Sequence, residues 1–388
     1  MANTLTSLIP DIYAALDVVS RELVGFIPSV ARDSSADRLA LNQTLRIPIS
    51  PTNAAGGNIS PAMALPSAAD QVFTNTTIAI SKSRYFPFSW TGSEELAVNS
   101  GVGYLTLKQA QIAQAIRAAV NEIEVDVATA IYKGASRAYG TAGTTPFGTA
   151  GDYSDAAQIR KILDDNGAPS SDRSLVLNTA AGASIRGKQA QAQMTNDTSL
   201  LRQGVLLDIN SFSIRESAQT PTVTAGTMAS ATSTAAAFTV GQTVIPLATA
   251  GTGTVAAGDI VTFANDTNQY VVAAVSFAGA NPASGDSITL AAPGLRKAQS
   301  SATRAITVVG TAARNLAFQR NAVILATRLP AIPGEGDMAS DRMTVTDPLS
   351  GLALEFAVYP GYRMNVYHVS IAWGVAVIKP EYVAVLLG

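Results

Sequence analysis

The sequence contains no cysteine and a single histidine, His368. Disulfides, zinc fingers, thiolate-bound iron–sulfur clusters and cysteine nucleophiles are excluded together. Triads and metal sites that need two imidazoles are excluded too. Charge is scarce: Asp, Glu, Lys and Arg make up 14% of the 388 residues, against about 25% in an ordinary soluble domain. Neither sign dominates, since 26 basic and 28 acidic side chains leave a net charge of −2. Such a balance offers no basic groove for sequence-specific nucleic-acid binding and no basic face for an anionic membrane. A globule so poor in charge is expected to have part of its surface covered by something other than water. Long apolar runs are also missing. The longest candidate, Trp373 to Ile378, stops at Lys379 and Pro380, far short of the ~18 residues that span a bilayer. The first thirty residues carry Asp11, Asp17 and Glu22 without a cationic run, so they do not read as a secretory signal. The expectation is a soluble, intracellular chain.

Catalytic motifs are absent or incomplete. Neither G-x-S-x-G nor D-[ST]-G occurs. Gly182 to Lys188 fits G-x-x-x-x-G-K, but a phosphate-binding loop needs Ser or Thr next, and Gln189 stands there. A helix of small residues packed tightly on its neighbours is the better reading. Gly251-Thr-Gly253-Thr-Val-Ala256 matches a loose dinucleotide fingerprint, but no helix follows to offer its N-terminus to a pyrophosphate. No cofactor, metal or catalytic residue is expected, and the chain does not read as an enzyme.

What is present is an alternation of periodicities. Ile9, Ile12, Leu16, Val19, Leu23 and Phe26 recur at steps of three and four, which is one helix stripe. It suits a core-facing helix or an N-terminal arm packed on a neighbouring chain. Pro48, Pro51, Gly56, Gly57, Pro61 and Pro66 make residues 45–70 extended or looped. Val72, Thr74, Thr76, Ile78 and Ile80 alternate as a strand does, and Phe86, Phe88 and Trp90 continue a period of two around Pro87. These limbs predict a long hairpin, which is marginal alone in water and must lie on something. Residues 104–134 give the clearest helix. Ile112, Ile116, Ala119, Ile123, Val127 and Ile131 share a face, Thr106 can cap the start and Gly134 the end. At 1.5 Å per residue it is about 45 Å long, suited to a structural spine.

Residues 152–166 predict a helix with Ala156, Ile159, Ile162 and Leu163 inward. The short strand Leu175–Leu177 and a helix over Ala180–Gln193 follow, an α+β pattern. The 87 residues from Ser217 to Thr303 then carry only five charged side chains. Short runs at Phe238–Val240, Val244–Leu247, Asp259–Phe263, Tyr270–Val272 and Ser287–Leu290, separated by turn signals, predict an inserted small β-barrel or sandwich. The host fold is expected to resume near Arg304. Turns are expected at Asp347–Gly351 and Pro360–Gly361, between strands centred on Leu354–Val358 and Val366–Val377.

Few polar groups stand out. Glu122 and Asp126 are four apart on the long helix, with Glu124 nearby. Like charges at that spacing repel by a few tenths of a kcal/mol, so a solvated face, or one meeting cations of a neighbouring subunit, is expected. Asp266 and Asn268 read as a turn rather than a calcium loop, and His368 as a hydrogen-bonded strand residue.

Three passages carry a family likeness. The run Phe86-Pro-Phe-Ser-Trp-Thr-Gly-Ser-Glu-Glu-Leu96, leading into the long helix, resembles the hairpin-to-spine junction of tailed-bacteriophage major capsid proteins with the HK-97-like fold. Ile162 to Leu177 resembles their helix–loop–strand passage, and Ser370 to Glu381 is similar to their closing strand. The β-rich insertion resembles the extra domain of the P-22-like subgroup. The resemblance implies an α+β chain divided as follows: residues 1–49 an N-terminal arm, 50–95 an extended loop, 96–140 a peripheral domain with the spine helix, and 141–216 the first part of an axial domain. Residues 217–303 would be the inserted β domain and 304–388 the return strands. It implies hexamers and pentamers of an icosahedral head enclosing double-stranded DNA without sequence-specific binding, located in the virion and assembled in the host cytoplasm. A scaffolding protein and a portal protein would be partners, and membranes would not. Some shell proteins of this build form isopeptide bonds from a lysine, and most do not; Lys82, the only lysine before Lys108, is the candidate here. The assembly residues expected are Ile9, Ile12, Leu16 and Val19 of the first stripe, and Phe86, Phe88 and Trp90. A cellular nanocompartment shell of the same fold, or a phage decoration or adhesion module, are the alternatives.

Overall fold

Residue by residue, the computed structural model describes 14–15, 24–49, 74–99, 104–149, 152–191, 208–249, 251–346 and 351–388. The stripe residues Ile9, Ile12, Leu16 and Val19, the whole of the 50–73 stretch and the Asp347–Ser350 turn lie outside them. The fold is α+β, organised on one helix and two large sheets. The helix spans Tyr104–Lys133. Its predicted stripe is buried along its length, Ile112, Ile116, Ala119, Ile123, Val127 and Ile131 all entering the main core. Thr106 falls inside the helix rather than at its cap, because the first turn begins at Tyr104. Gly134 follows the last residue, and its N–H still reaches the Ala130 carbonyl at 3.0 Å.

The strand Met364–Val377 is the hub of the first sheet. Its 14 residues pair on one side with Lys82–Thr91 and on the other with Ala353–Gly361 and then Val323–Pro330, all antiparallel. Ala31–Leu39 adds to Val323–Pro330 in parallel, and Asp341–Thr346 closes the far edge. Alternate side chains of the hub, Tyr367, Val369, Ile371 and Trp373, are buried in the core shared with the long helix. The hub and Ala353–Gly361 pair as far as Gly361 with Met364. The turn is therefore at Tyr362-Arg363, with Arg363 at φ 58°, and Pro360-Gly361 belong to the strand instead. Pro87 sits inside Lys82–Thr91, opposite His368. Among the described residues that strand has a partner on one side only, so the missing proline N–H costs no ladder bond.

The second sheet carries Arg173–Leu177, Ala312–Gln319 and Val383–Leu387, every residue of which is buried. The helix Ser154–Asp165 packs Ala156, Ile159, Ile162 and Leu163 on it, as predicted. Thr179–Gln191 is the small-residue helix. A Cβ at Gly182 would come within 2.8 Å of the Glu216 carboxyl, so the glycine of the apparent phosphate loop serves close packing.

The charge-poor segment builds its own core from Phe238, Ile245, Leu247, Val261, Phe263, Tyr270, Val272, Ile288 and Leu290. Its strands are Val244–Thr249, Ile260–Phe263, Gln269–Ser276 and Ser287–Leu290. Phe238 makes only an isolated bridge to Gln299, so the strand predicted at Phe238–Val240 does not form. Ile306–Val308 still pairs with Ile260–Phe263, which carries this unit's pairing past Thr303. Through Gln269–Tyr270 it pairs with Arg137–Ala138, and Arg137–Tyr139 in turn pairs with Val383–Leu387. The segment is thus an extension of the second sheet.

Candidate functional site

The two carboxylates that stood out on the long helix meet cations of their own chain. Lys82 Nζ lies 3.0 Å from Glu122 Oε1 and 2.9 Å from Asp126. Arg84 Nε donates to Glu122 at 3.2 Å, and Trp373 Nε1 donates to Asp126 at 2.9 Å. The expectation of a solvated face or a neighbouring subunit's cations is corrected here. The Lys82–Thr91 strand passes beside the helix, and alternation places Lys82 and Arg84 on one face of it. Burial works to lower the Lys82 pKa, but hydrogen bonds to Asp126 and Glu122 together hold it raised. Lys82 is therefore held as an ammonium between the two carboxylates. The cluster acts as an ion-pair clamp between the strand and the helix.

Phe86, Phe88 and Trp90 sit on that same strand. Trp90 is buried, with its Nε1–H on Gln111 Oε1 at 2.6 Å, and Phe86 and Phe88 pack against the main core while staying partly uncovered. The hairpin ribbon proper is formed by Thr44–Ile49 and Thr74–Ala79, and the three aromatics lie beyond its base. On the opposite face His368 stacks on Tyr85, with ring centres 4.9 Å apart, and Tyr359 lies against it at 4.8 Å with its ring tilted by 49°. Burial lowers its pKa. Asp266 accepts from Asn268 N at 3.0 Å and from Tyr270 Oη at 2.7 Å, which is the turn expected. Among the described residues, no group of three or more Asp, Glu or His could hold a metal ion, and no helix is long and apolar enough to cross a membrane.

The role of Glu124, noted in the sequence only as a neighbour of Glu122 and Asp126, is set by distant partners. Glu124 is 1% exposed and accepts from Ile27 N at 2.8 Å, Phe26 N at 3.1 Å and Ser217 Oγ at 3.0 Å. It ties the end of the N-terminal segment and the start of the charge-poor segment to the middle of the long helix. Burial raises its pKa to about 7, against the pull of these hydrogen bonds.

The chain is similar to solved phage capsids. Those it resembles include the capsid of the cyanophage P-SCSP1u, with a TM-score of 0.49 and 11% identity over 92% of this chain and 86% of that one. The mature capsid of bacteriophage PhiM1 gives 0.47 and 10% over 94% and 86%. The virus-like particle from Pyrococcus furiosus gives 0.39 and 8% over 97% and 98%. No family model and no curated protein sequence matches the chain.

The clamp is testable. Lys82→Met leaves Glu122 and Asp126 facing each other across one helical turn. We expect a loss of about 1 kcal/mol in urea unfolding, because the three side chains are a quarter to a third exposed and water screens them. Lys82→Arg should recover most of it, and 1 M salt should shrink the difference. A loss that is unchanged by salt would mean that Lys82 acts through its packing instead.

Proposed function

We propose that this chain is the structural subunit of a phage head, assembling with copies of itself into hexamers and pentamers of an icosahedral shell around double-stranded DNA. The observation that carries the reading is the ribbon of Thr44–Ile49 and Thr74–Ala79. It is a two-stranded sheet that joins neither large sheet among the described residues. Two strands alone are marginal in water, and their outer edges are open templates for pairing. One face of it is packed, where Ile78 and Ile80 cover Ala326 and Ala372 and Leu45 and Ile47 lie against the same cluster, while Arg46, Pro48, Asn75 and Thr77 are exposed. A solitary protein has no use for such an element, whereas a shell subunit can bury it on its neighbour. Each large contact contributes about 25 cal/mol per Å² of apolar area before association costs.

The exposed apolar residues support the same reading. Tyr362 is 90% and Met338 80% exposed, and Leu96 and Tyr85 are mostly exposed. In this proposal the stripe Ile9, Ile12, Leu16 and Val19 docks on an adjacent subunit, and the uncovered parts of Phe86 and Phe88 add to the contact around the ribbon. A scaffolding protein and a portal protein complete assembly.

The test is negative-stain microscopy and gel filtration of the expressed chain, with and without its genomic neighbours. Closed shells of uniform size are expected. The double substitution Ile12→Asp plus Leu16→Asp should leave soluble chains that form none. Normal shell yield in that variant removes the stripe from the interface. A wild-type chain that stays monomeric at every concentration, with every neighbour supplied, overturns the proposal.

A further inference from the structure

Where the helix Ser154–Asp165, the strand Arg137–Tyr139 and the Asp266–Gln269 turn converge, there is a cavity of about 210 Å³. At roughly 30 Å³ per water it has room for about seven waters. Arg137 lines it and is 4% exposed. Its guanidinium is under-bonded for so deep a position. Nη1 donates to Asn268 Oδ1 at 3.3 Å, and Nη2 to Ile162 O at 3.2 Å and to Asp165 Oδ2 and Asn166 Oδ1 at 3.4 Å each. All are longer than the 2.7–2.9 Å usual for charge-assisted bonds, and Nε is buried with no partner. An under-satisfied buried cation of this kind is stabilised by a further acceptor.

The rest of the lining supplies more donors. Gln158 and Lys161 lie three residues apart on the helix, so they project from one side. Thr267 and Asn268 face them from the turn. Arg296 adds positive field at Arg137. One carboxylate, Asp165, lines the cavity, and its single charge does not offset Arg137 and Lys161.

We propose that this cavity binds a phosphate ester, with the Arg137 guanidinium and the Lys161 ammonium on the phosphoryl oxygens and Gln158 and Thr267 completing the shell. Donors drawn from a strand, a helix and a turn suit a tetrahedral oxyanion better than a planar carboxylate. The volume leaves space for the group esterified to it. The chemistry is common to a free phosphorylated small molecule and to a nucleic-acid backbone. This inference does not depend on the shell reading.

The experiment is calorimetric titration of the full chain with inorganic phosphate, at fixed ionic strength in chloride. Saturable binding is expected, weakened at least tenfold by Lys161→Glu and unchanged by Arg46→Glu on the distant ribbon. Lys161 is exposed, so its variant should fold, and circular dichroism checks that it does. Arg137→Gln is the second variant and should abolish binding if it folds. A mononucleotide that displaces phosphate while an oligonucleotide of abasic sugar-phosphate does not assigns the site to a free small molecule; displacement by the oligonucleotide assigns it to a backbone. Absence of saturable binding, equal affinity for acetate, or an unchanged affinity in Lys161→Glu overturns the proposal.

Discussion

Glu124→Ala is expected to free the chain at Gly25–Ile27 from the long helix and to lower the unfolding free energy by about 2–4 kcal/mol at pH 5. The substitution strips the acceptor from two backbone N–H groups and the Ser217 hydroxyl, all in a buried setting. A buried donor left unpaired costs about 1–3 kcal/mol. Phe26 and Ile27, both fully buried, then lose the contact that fixes their backbone. The pH dependence has a definite sign. Burial lifts the folded-state pKa of Glu124 to about 7 from the ordinary glutamate value of 4.5. Below about pH 4.5 the group is neutral in both states. Between there and pH 7 the unfolded chain gives up its proton first, so stability falls as pH rises. Above pH 7 the full cost, about 3 kcal/mol, is present. The gap between wild type and Glu124→Ala should therefore be widest at or below pH 4.5, shrink steadily from pH 5 to 7 and level off above it. Denaturant unfolding of both chains at pH 5, 6, 7 and 8 measures it, and the difference cancels groups such as His368 that titrate alike in the two. A gap independent of pH would show that Glu124 does not titrate in the fold.

Why the long helix was legible and Glu124 was not is a matter of range. The stripe from Ile112 to Ile131 is a local pattern, and periodicity alone dictates which face goes inward. The same holds for Ile159 and Leu163 in the shorter helix. Glu122 and Asp126 share a face, while Glu124 lies about 200° round from Glu122, towards Val127 and Ile131. A carboxylate beside an apolar stripe was the available signal, but its partners lie 93 to 98 residues away, where no local pattern reaches. Strand pairing shows the same limit. Period-two alternation marked both Thr74–Ala79 and Lys82–Thr91 as strands, yet it cannot say that the first pairs with Thr44–Ile49 and the second with the hub. Alternation defines faces, whereas partners are chosen by long-range burial. The cavity over Arg137 was invisible for that reason, since its walls come from three separate stretches of chain. The Lys82 clamp was half visible. All three charges drew attention, but their meeting depended on where the strand crosses the helix.

Gly374→Ala should unseat the ribbon. Gly374 lies in the hub strand opposite Ala326. There the chain leaving the ribbon crosses the sheet. A Cβ on Gly374 would land on the Ala79 carbonyl oxygen, with the Ala79 carbonyl carbon at 2.9 Å and Ile80 Cα at 3.2 Å. All three are backbone atoms, so no rotamer change relieves the overlap, and the ribbon's base must move away. The neighbouring hydrogen bond from Ser81 N to Trp373 O, 3.0 Å long, must stretch with it. Ile78 and Ile80 then lose their seat on Ala326 and Ala372, two small side chains that allow the close approach. Overpacking alone costs about 1–3 kcal/mol, and full exposure of each isoleucine about 1.5–3 more. Full loss of both seats sets a ceiling of about 4–9 kcal/mol for this unit, with trypsin cutting at Arg46 on the loosened ribbon much faster than in the wild type. Gly187→Ala is the matched control. Nothing lies within 4 Å of its Cβ and it sits in a helix, so it should gain about 0.5–1 kcal/mol from helix propensity. The shell reading adds a sharper expectation. Gly374→Ala should fail to assemble even where its long helix and two sheets remain folded, because the element offered to the neighbour no longer projects at a fixed angle. If the variant resists trypsin like the wild type and still closes shells, the ribbon is neither seated on the hub nor needed for the contact.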